Sequence, residues 1–99
     1  MSYTLVFNSE AEQEYREAYE WYEAHLVGLG DRFETEIENQ LLKIISNTQA
    51  YHFSKGNFRE ASIAQFPFSI VYKVNTRKQI IYISAIYHSS RDPKSKYRK

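Results

Sequence analysis

The run from Gln79 to His88 constrains the fold of this chain more than any other feature. It reads Gln-Ile-Ile-Tyr-Ile-Ser-Ala-Ile-Tyr-His, so β-branched and aromatic residues dominate it. These residue types favour strands. Because the stretch from Ile80 to Ile86 is apolar on nearly both faces of an extended chain, it matches a buried strand better than a half-exposed one. The run therefore predicts a central strand of a sheet.

Two amphipathic helices are predicted before this strand. Ser9 with Glu12 three residues later forms a capping-box pattern, which predicts a helix start. That helix ends near Gly28, and Asp31 opens a second helix that ends around Asn47. The second helix carries one apolar stripe, which consists of Phe33, Ile37, Leu41, Ile44 and Ile45. The short connection predicts an antiparallel helical hairpin.

The remaining β-type runs complete the predicted sheet. They are Tyr3–Phe7, Phe58–Gln65 and Phe68–Asn75, with an irregular stretch over residues 48–57. We expect an α+β domain of order β-α-α-β-β-β, with the helical hairpin packed on one face of a mainly antiparallel four-stranded sheet. Its 99 residues have the size of one domain, with a basic tail over residues 91–99.

Charge is divided unevenly along the chain. Residues 1–50 hold three Lys/Arg against ten Asp/Glu, a balance of −7, whereas residues 51–99 hold ten against two, a balance of +8. Such asymmetry indicates an acidic or polyanionic partner for one surface. The basic half is therefore where a functional site is expected.

Composition excludes several classes of protein. The chain has no cysteine, so it has no disulfide framework, and 25% charged residues without a long apolar stretch argue against a membrane span. No signal peptide is evident, which predicts a cytoplasmic protein. The histidines at positions 25, 52 and 88 are too scattered for a metal motif, so neither a metal nor another cofactor is predicted.

Three blocks of the second half carry a resemblance to a known family. They are Phe58-Arg59-Glu60, the block Phe-Pro-Phe-Ser-Ile-Val-Tyr-Lys-Val over residues 66–74, and the ending Ala-Ile-Tyr-His-Ser-Ser-Arg-Asp-Pro over residues 85–93. With these blocks and its order of elements, the chain resembles the RelE/ParE superfamily of bacterial toxins from type II toxin-antitoxin systems. The resemblance covers essentially the whole length.

The resemblance implies a small toxin that a partly disordered antitoxin wraps in a hetero-oligomer. Such toxins poison DNA gyrase or cut mRNA on the ribosome. The last two blocks look more like the ParE branch, and only Lys55 and Arg59 stand where RelE-type toxins have a dense lysine cluster. The resemblance therefore implies a gyrase-binding toxin of a plasmid-stabilisation system. The alternatives are a ribosome-dependent endoribonuclease and a non-toxic module that only binds antitoxin.

Four residues are candidates for toxicity or for RNA cleavage. Metal-free cleavage needs an acid, a base and cations that stabilise charge on the phosphate. A histidine at a strand end suits the first two roles, so His88 is the candidate acid or base. Arg59, Lys73 and Arg91 are the candidate cations. The alternative for His88 is a hydrogen bond to a neighbouring loop.

Further residues are predicted to contact partners. Target contacts are expected from Lys55, Lys94, Lys96, Tyr97 and Arg98, unless the tail is frayed and solvated. Antitoxin contacts are expected from Tyr19, Trp21 and Tyr22, unless these rings are buried between the hairpin and the sheet. The glutamates of the first helix are predicted to line its solvent face.

Overall fold

The computed structural model describes residues 2–98 and shows an α+β architecture. In chain order the elements are β1 (Thr4–Phe7), α1 (Ser9–His25), α2 (Leu29–Ser46), β2 (Phe53–Lys55), β3 (Phe58–Ser62), β4 (Phe68–Asn75) and β5 (Ile80–His88). A short 3-10 turn, Pro93–Ser95, follows in the C-terminal segment. Within these residues neither helix combines the length and apolar character that crossing a bilayer requires.

The sheet has the strand order β1-β5-β4-β3-β2. Strand β1 is parallel to β5, and the other neighbours are antiparallel. The predicted fold class and the interior position of β5 are thus confirmed, with one strand more than the four predicted. The extra strand, β2, lies in the stretch predicted to be irregular. Its three residues are all exposed, so it has no buried face that an alternation of apolar residues could reveal.

The helix boundaries depend on side-chain caps that differ from the predicted one. Asn8, not Ser9, is the N-cap of α1, and its side-chain oxygen accepts a hydrogen bond of 2.8 Å from the amide of Glu10. The Ser9–Glu12 capping box is therefore wrong by one position. Helix α1 ends at His25, three residues before Gly28.

The start of α2 is held by a residue of α1. The two carboxylate oxygens of Glu23 accept hydrogen bonds of 2.9 Å from the amides of Gly28 and Gly30. Gly28 has a left-handed backbone with φ of 91°, which glycine adopts without a steric penalty. A Cβ on Gly30 would lie 2.7 Å from the carbonyl oxygen of Tyr19, so only glycine permits this close crossing of the helices.

The helices cover one face of the sheet and form the main core with it. The predicted stripe of α2 is buried except for Ile45, which is partly buried. Across from it lie inward-facing strand residues, which include Ile70, Tyr72, Ile81, Ile83 and Ile86. Tyr72 is fully buried, so its ring packs in this core. A smaller apolar cluster of Val71, Ala85, Tyr87, Phe58 and Tyr97 lies on the opposite face, which we call the second face.

A β-bulge at Ser84 decides which face His88 occupies. Ile83 pairs with Tyr72 and Ala85 pairs with Val71, so Ser84 has no partner residue on β4. The extra residue shifts the alternation by one position, so Ile83 and Ile86 share the helix-covered face. His88 consequently lies on that face and packs edge-on against Phe68, with ring centroids 4.9 Å apart.

Candidate functional site

The four candidate toxicity residues do not converge on one site. Arg59 lies opposite Tyr72, which lies opposite Ile83, and His88 is five residues further along β5. Because one of these five is the bulged Ser84, four residues of β4 at about 3.4 Å each and two strand spacings of about 4.8 Å place Arg59 roughly 17 Å from His88. Lys73 is adjacent to Tyr72 on β4 and so points to the second face. The four candidates therefore form no single cluster within residues 2–98.

The guanidinium of Arg59 makes its contacts within its own chain. Its guanidinium lies 3.9 Å from the ring centroid of Phe53 and donates a hydrogen bond of 2.6 Å to the carbonyl of Tyr51. A longer contact of 3.4 Å reaches the carbonyl of Gln49. These contacts fasten β2 and the preceding loop to the sheet.

His88 combines a local contact with access to a pocket. Its Nδ1 accepts a hydrogen bond of 3.0 Å from the backbone amide of Ser90, as the loop-contact alternative predicted, and also lies 2.8 Å from the Ser90 hydroxyl. Because an amide can only donate, the neutral ring carries its proton on Nε2. A cavity of about 490 Å³ beside this ring is lined by Glu17, Ala18, Trp21, Tyr22, Pro67, Phe68 and Arg91 as well.

Arg91 and Arg98 converge on Glu14, a buried residue that the sequence analysis placed on the solvent face. Glu14 is only 7% exposed. It accepts hydrogen bonds of 2.6 Å from Arg91 and of 2.9 and 3.0 Å from Arg98. It also accepts one of 3.1 Å from the amide of Ile86, on the part of β5 that extends beyond β1. Glu14 thus fastens the C-terminal segment to the sheet, which corrects the prediction for α1.

A signal for Glu14 was present in the sequence. It lies three residues after Ala11 and four before Ala18, which are both buried. A glutamate at that spacing is on the inward stripe of the helix, where an ionised side chain requires a partner. The sequence gives no means of choosing that partner, since both arginines are more than 70 residues away.

The tail segment, residues 91–98, is docked rather than frayed. Arg98 also pairs with Glu10 at 2.9 Å, and the hydrogen bond and charge of Glu14 raise the pKa of its guanidinium despite partial burial. Lys96 pairs with Glu60 at 3.1 Å. Burial opposes the charge of Lys96, but the bond and charge of Glu60 outweigh it and raise its pKa. Three tail cations therefore serve internal ion pairs.

The other predicted tail contacts divide into packed and exposed groups. The Tyr97 ring packs on Phe58 with centroids 5.3 Å apart, and its hydroxyl bonds Ser54. The side chain of Ser84 also holds the segment, because its hydroxyl donates to the Lys96 carbonyl and accepts from the Arg98 amide, both at 2.7 Å. Lys94 is exposed, and Lys99, the last cation predicted for the tail, lies outside the described residues.

The β4–β5 turn brings together three cations that have no acidic partner among the described residues. Within residues 2–98, Lys73, Arg77 and Lys78 make no ion pair. They border a cavity of about 590 Å³ at the β4–β5 turn, which Asn57, Val74, Asn75, Thr76, Ile80 and Tyr82 complete. Lys55 is another exposed cation, and it lies 5.6 Å from the ring centroid of Tyr97. Arg77 and Lys78 were not among the predicted site residues.

Of the three predicted antitoxin contacts, Trp21 is exposed, whereas Tyr19 and Tyr22 are partly buried. Trp21 is 57% exposed and stacks on His25, with ring centroids 3.8 Å apart. Tyr22 packs into the core against Phe33, Phe66 and Phe68, as its burial alternative predicted. Tyr19 donates a hydrogen bond of 2.6 Å to Asp31, which helps to close the hairpin.

The tip of the helical hairpin carries two further exposed apolar residues. Leu26 is 62% exposed and Val27 is 89% exposed. Both residues follow α1 directly, in the connection to α2. Within the described part of the chain, His and acidic residues form no group of three or more that could hold a metal ion.

Comparison with known proteins identifies relatives of this fold. A family model for the ParE toxin of the type II toxin-antitoxin system parDE matches residues 5–93. Among curated protein sequences, none matches the chain significantly.

Solved structures show the same architecture at low sequence identity. The chromosomal ParDE toxin-antitoxin system from P. aeruginosa superposes with a TM-score of 0.73 at 19% identity, over 87% of this chain and 95% of that one. The isolated E. coli RelE toxin gives a TM-score of 0.69 at 16% identity, over 93% and 89% of the two chains. A free double-arginine mutant of E. coli RelE gives 0.68 at 16%, over 91% and 86%. These similarities establish the fold, which both kinds of toxin share.

Proposed function

The chain belongs to the ParE toxin family of type II toxin-antitoxin systems, and on that premise we propose that it arrests growth by binding DNA gyrase. It acts as a single toxin domain in the cytoplasm, where a cognate antitoxin neutralises it. The mode of action is occupation of the target rather than cleavage of a bond.

The dispersal of the candidate ribonuclease residues carries this proposal. Metal-free RNA cleavage requires an acid, a base and a phosphate clamp within hydrogen-bonding reach of one reacting group. His88 and Lys73 instead face opposite sides of the sheet, and roughly 17 Å separates His88 from Arg59. Arg91 is held by Glu14. Binding requires no such convergence, since separate surface patches can contribute to one interface.

The antitoxin docks beside Trp21 in this proposal. Exposed aromatic residues bordering a pocket are the usual anchors of protein interfaces. Trp21 and the cavity beside it offer such an anchor on α1. We expect Trp21→Ala to weaken the toxin-antitoxin complex more than tenfold, which is the loss typical of a truncated anchor. Leu42→Ala is the matched control, because Leu42 is 64% exposed on α2.

One observation favours the endoribonuclease as a second candidate. Lys55, Lys73 and Tyr97 all lie on the second face, and Tyr82 opposite Lys73 joins them. Cations with aromatic rings suit unstacked RNA bases and their phosphates. In that case the second face, rather than the His88 pocket, would hold the RNA.

Induced expression in a bacterial host tests the proposal, with growth, transcript integrity and DNA-damage response followed in one culture. Gyrase poisoning predicts arrest with intact transcripts and a damage signal, and His88→Ala should leave both unchanged. Arrest with transcripts cut within codons would replace the gyrase proposal by the endoribonuclease. A folded product that causes no arrest would contradict both and leave a module that only binds antitoxin.

A further inference from the structure

The β4–β5 turn holds a concave basic surface without a carboxylate. We call Lys73, Arg77 and Lys78 the hairpin cations; all three border the cavity of about 590 Å³, and no Asp or Glu is among its lining residues. None of the three makes an ion pair within residues 2–98. A ligand with several negative charges would therefore meet cations that have no competing internal partner.

The chain holds this surface in place. The Lys73 ammonium lies between two rings, 5.2 Å from the centroid of Phe58 and 5.4 Å from that of Tyr82. The Tyr82 hydroxyl accepts a hydrogen bond of 2.7 Å from the side chain of Asn8. In the turn, the Asn75 side chain accepts one of 3.0 Å from the amide of Lys78. Groups fixed before binding lose less conformational freedom when a ligand arrives.

The chemistry of the lining fits a phosphodiester backbone. Lysine and arginine contact phosphate oxygens through charge-assisted hydrogen bonds. The side-chain amides of Asn57 and Asn75 can donate to the same oxygens. The apolar floor at Ile80 and Tyr82 suits the sugar between successive phosphates. A row of phosphates uses all of these groups, whereas a single carboxylate would use only some of them.

We propose that the hairpin cations bind the phosphate backbone of duplex DNA. The choice of duplex DNA over RNA rests on the proposed function, because gyrase holds duplex DNA while it works. The toxin would then contact both the enzyme and its DNA, and the hairpin cations would hold the DNA. The paired cations of the tail segment take no part in this contact.

Binding of a fluorescent 20-base-pair duplex to the purified chain tests the proposal by anisotropy at several salt concentrations. Three phosphate contacts predict a slope of about −2.7 in log affinity against log salt. Affinity should thus fall roughly 40-fold between 50 and 200 mM salt. The triple variant K73Q/R77Q/K78Q should lose most of that slope and bind at least roughly tenfold more weakly at 50 mM.

A charge-matched variant separates a site from general attraction. R16Q/R32Q/K43Q removes the same charge from exposed positions on α1 and α2, and it should keep the wild-type slope. The proposal is overturned if the wild type does not bind the duplex at 50 mM salt, or if both triple variants behave alike. A 20-nucleotide single-stranded RNA that binds more tightly than the duplex would likewise overturn the assignment to DNA.

Capture of gyrase by the wild-type chain in the absence of DNA reports separately on the proposed function. Failure of that capture contradicts gyrase binding whatever the duplex result. Capture of gyrase without duplex binding contradicts only the inference about the hairpin cations. Thermal unfolding of both triple variants should match the wild type and so exclude misfolding as the cause of any loss.

Discussion

The tail segment and the β4–β5 hairpin are both basic, but the protein uses their charge differently. In the tail segment, Arg91, Arg98 and Lys96 pair with Glu14, Glu10 and Glu60. At the hairpin, Lys73, Arg77 and Lys78 have no acidic partner within residues 2–98. The first region holds the protein together, and the second remains available for a ligand.

The internal ion pairs of the tail segment also change the interpretation of the uneven charge along the chain. The halves of the chain carry charges of −7 and +8. Some of these charges neutralise each other inside the fold, because Glu10 and Glu14 of the acidic half bind arginines of the basic half. Counting charges therefore overstates the tail segment as a binding surface. Only pairing across the fold shows which cations remain available.

Removing the carboxylate of Glu14 should have the largest effect on stability. Glu14→Gln keeps the shape but leaves Arg91 without a counter-charge and Arg98 with Glu10 alone. Breaking a buried ion pair of this kind is strongly destabilising. Partial exposure of Arg91 moderates the loss, so we expect about 2 to 3 kcal/mol. Thermal unfolding should show a Tm lowered by roughly 10 to 20 °C.

The matched control for this variant is Glu20→Gln, which removes the same charge from an exposed position of α1. Its Tm should stay within about 3 °C of the wild type, since surface substitutions cost little. Equal effects of the two substitutions would mean that Glu14 does not anchor the tail segment.

Loss of the Tyr97 ring should have the next largest effect. Its packing on Phe58 closes the small apolar cluster of the second face. Tyr97→Ala should cost about 1.5 kcal/mol in chemical unfolding. It should also increase binding of a hydrophobic dye, because Val71 and Ala85 become accessible. Tyr97→Phe keeps the ring, so a loss as large as that of the alanine variant would assign the effect to the hydroxyl instead.

Alkaline pH should destabilise the fold through Tyr72. Burial, the largest cause, raises its pKa from 10.0 to about 12, although Arg59 opposes the shift. A group whose pKa is higher in the folded state contributes stability in full below pH 10, and this stability is lost as pH rises towards 12. At pH 11 the loss is about 1 kcal/mol.

Comparing wild type with Tyr72→Phe between pH 9 and 11 isolates this contribution. Phenylalanine has no proton to lose, so the variant should show the smaller decline in unfolding free energy. The variant lacks, at every pH, the hydrogen bond of 3.3 Å from the Tyr72 hydroxyl to the Thr48 carbonyl. The loss of this bond therefore cancels when the pH dependences of the two proteins are compared. Parallel declines in the two proteins would show that other groups cause the alkaline loss.

Substitutions at the hairpin cations should have the smallest effect on stability. Arg77 and Lys78 are exposed and unpaired, so R77Q/K78Q should change the free energy of unfolding by less than about 0.5 kcal/mol. The double variant should nevertheless weaken growth arrest. A marked fall in Tm would show that these cations stabilise the fold as the cations of the tail segment do. The two regions would then not differ in the way proposed.

The elements with strong periodic patterns were predictable from the sequence. The stripe Phe33, Ile37 and Leu41 is buried as predicted, and the strand Phe68–Asn75 has the predicted limits. Both have a clear apolar pattern that burial alone determines. Strand β2 lacks such a pattern, because it is an exposed edge strand. Its Phe53 ring contacts the guanidinium of Arg59.

The candidate site was harder to predict than the fold because it depends on register and on distant pairs. The bulge at Ser84 reverses the faces of the residues that follow it, so the position of His88 relative to Lys73 cannot be read from alternation. The pairing of Glu14 with Arg98 joins the first helix to the C-terminal segment. Neither the bulge nor this ion pair leaves a local sequence pattern from which it could be predicted.

The most direct test of gyrase binding through the hairpin cations is gyrase supercoiling in a purified reaction with the wild type, the hairpin variant K73Q/R77Q/K78Q and the matched variant R16Q/R32Q/K43Q. We expect the wild type and the matched variant to inhibit supercoiling at similar concentrations, whereas the hairpin variant requires at least roughly tenfold more protein. Equal inhibition by all three proteins would contradict the role of the hairpin cations. No inhibition by any of them would contradict gyrase as the target.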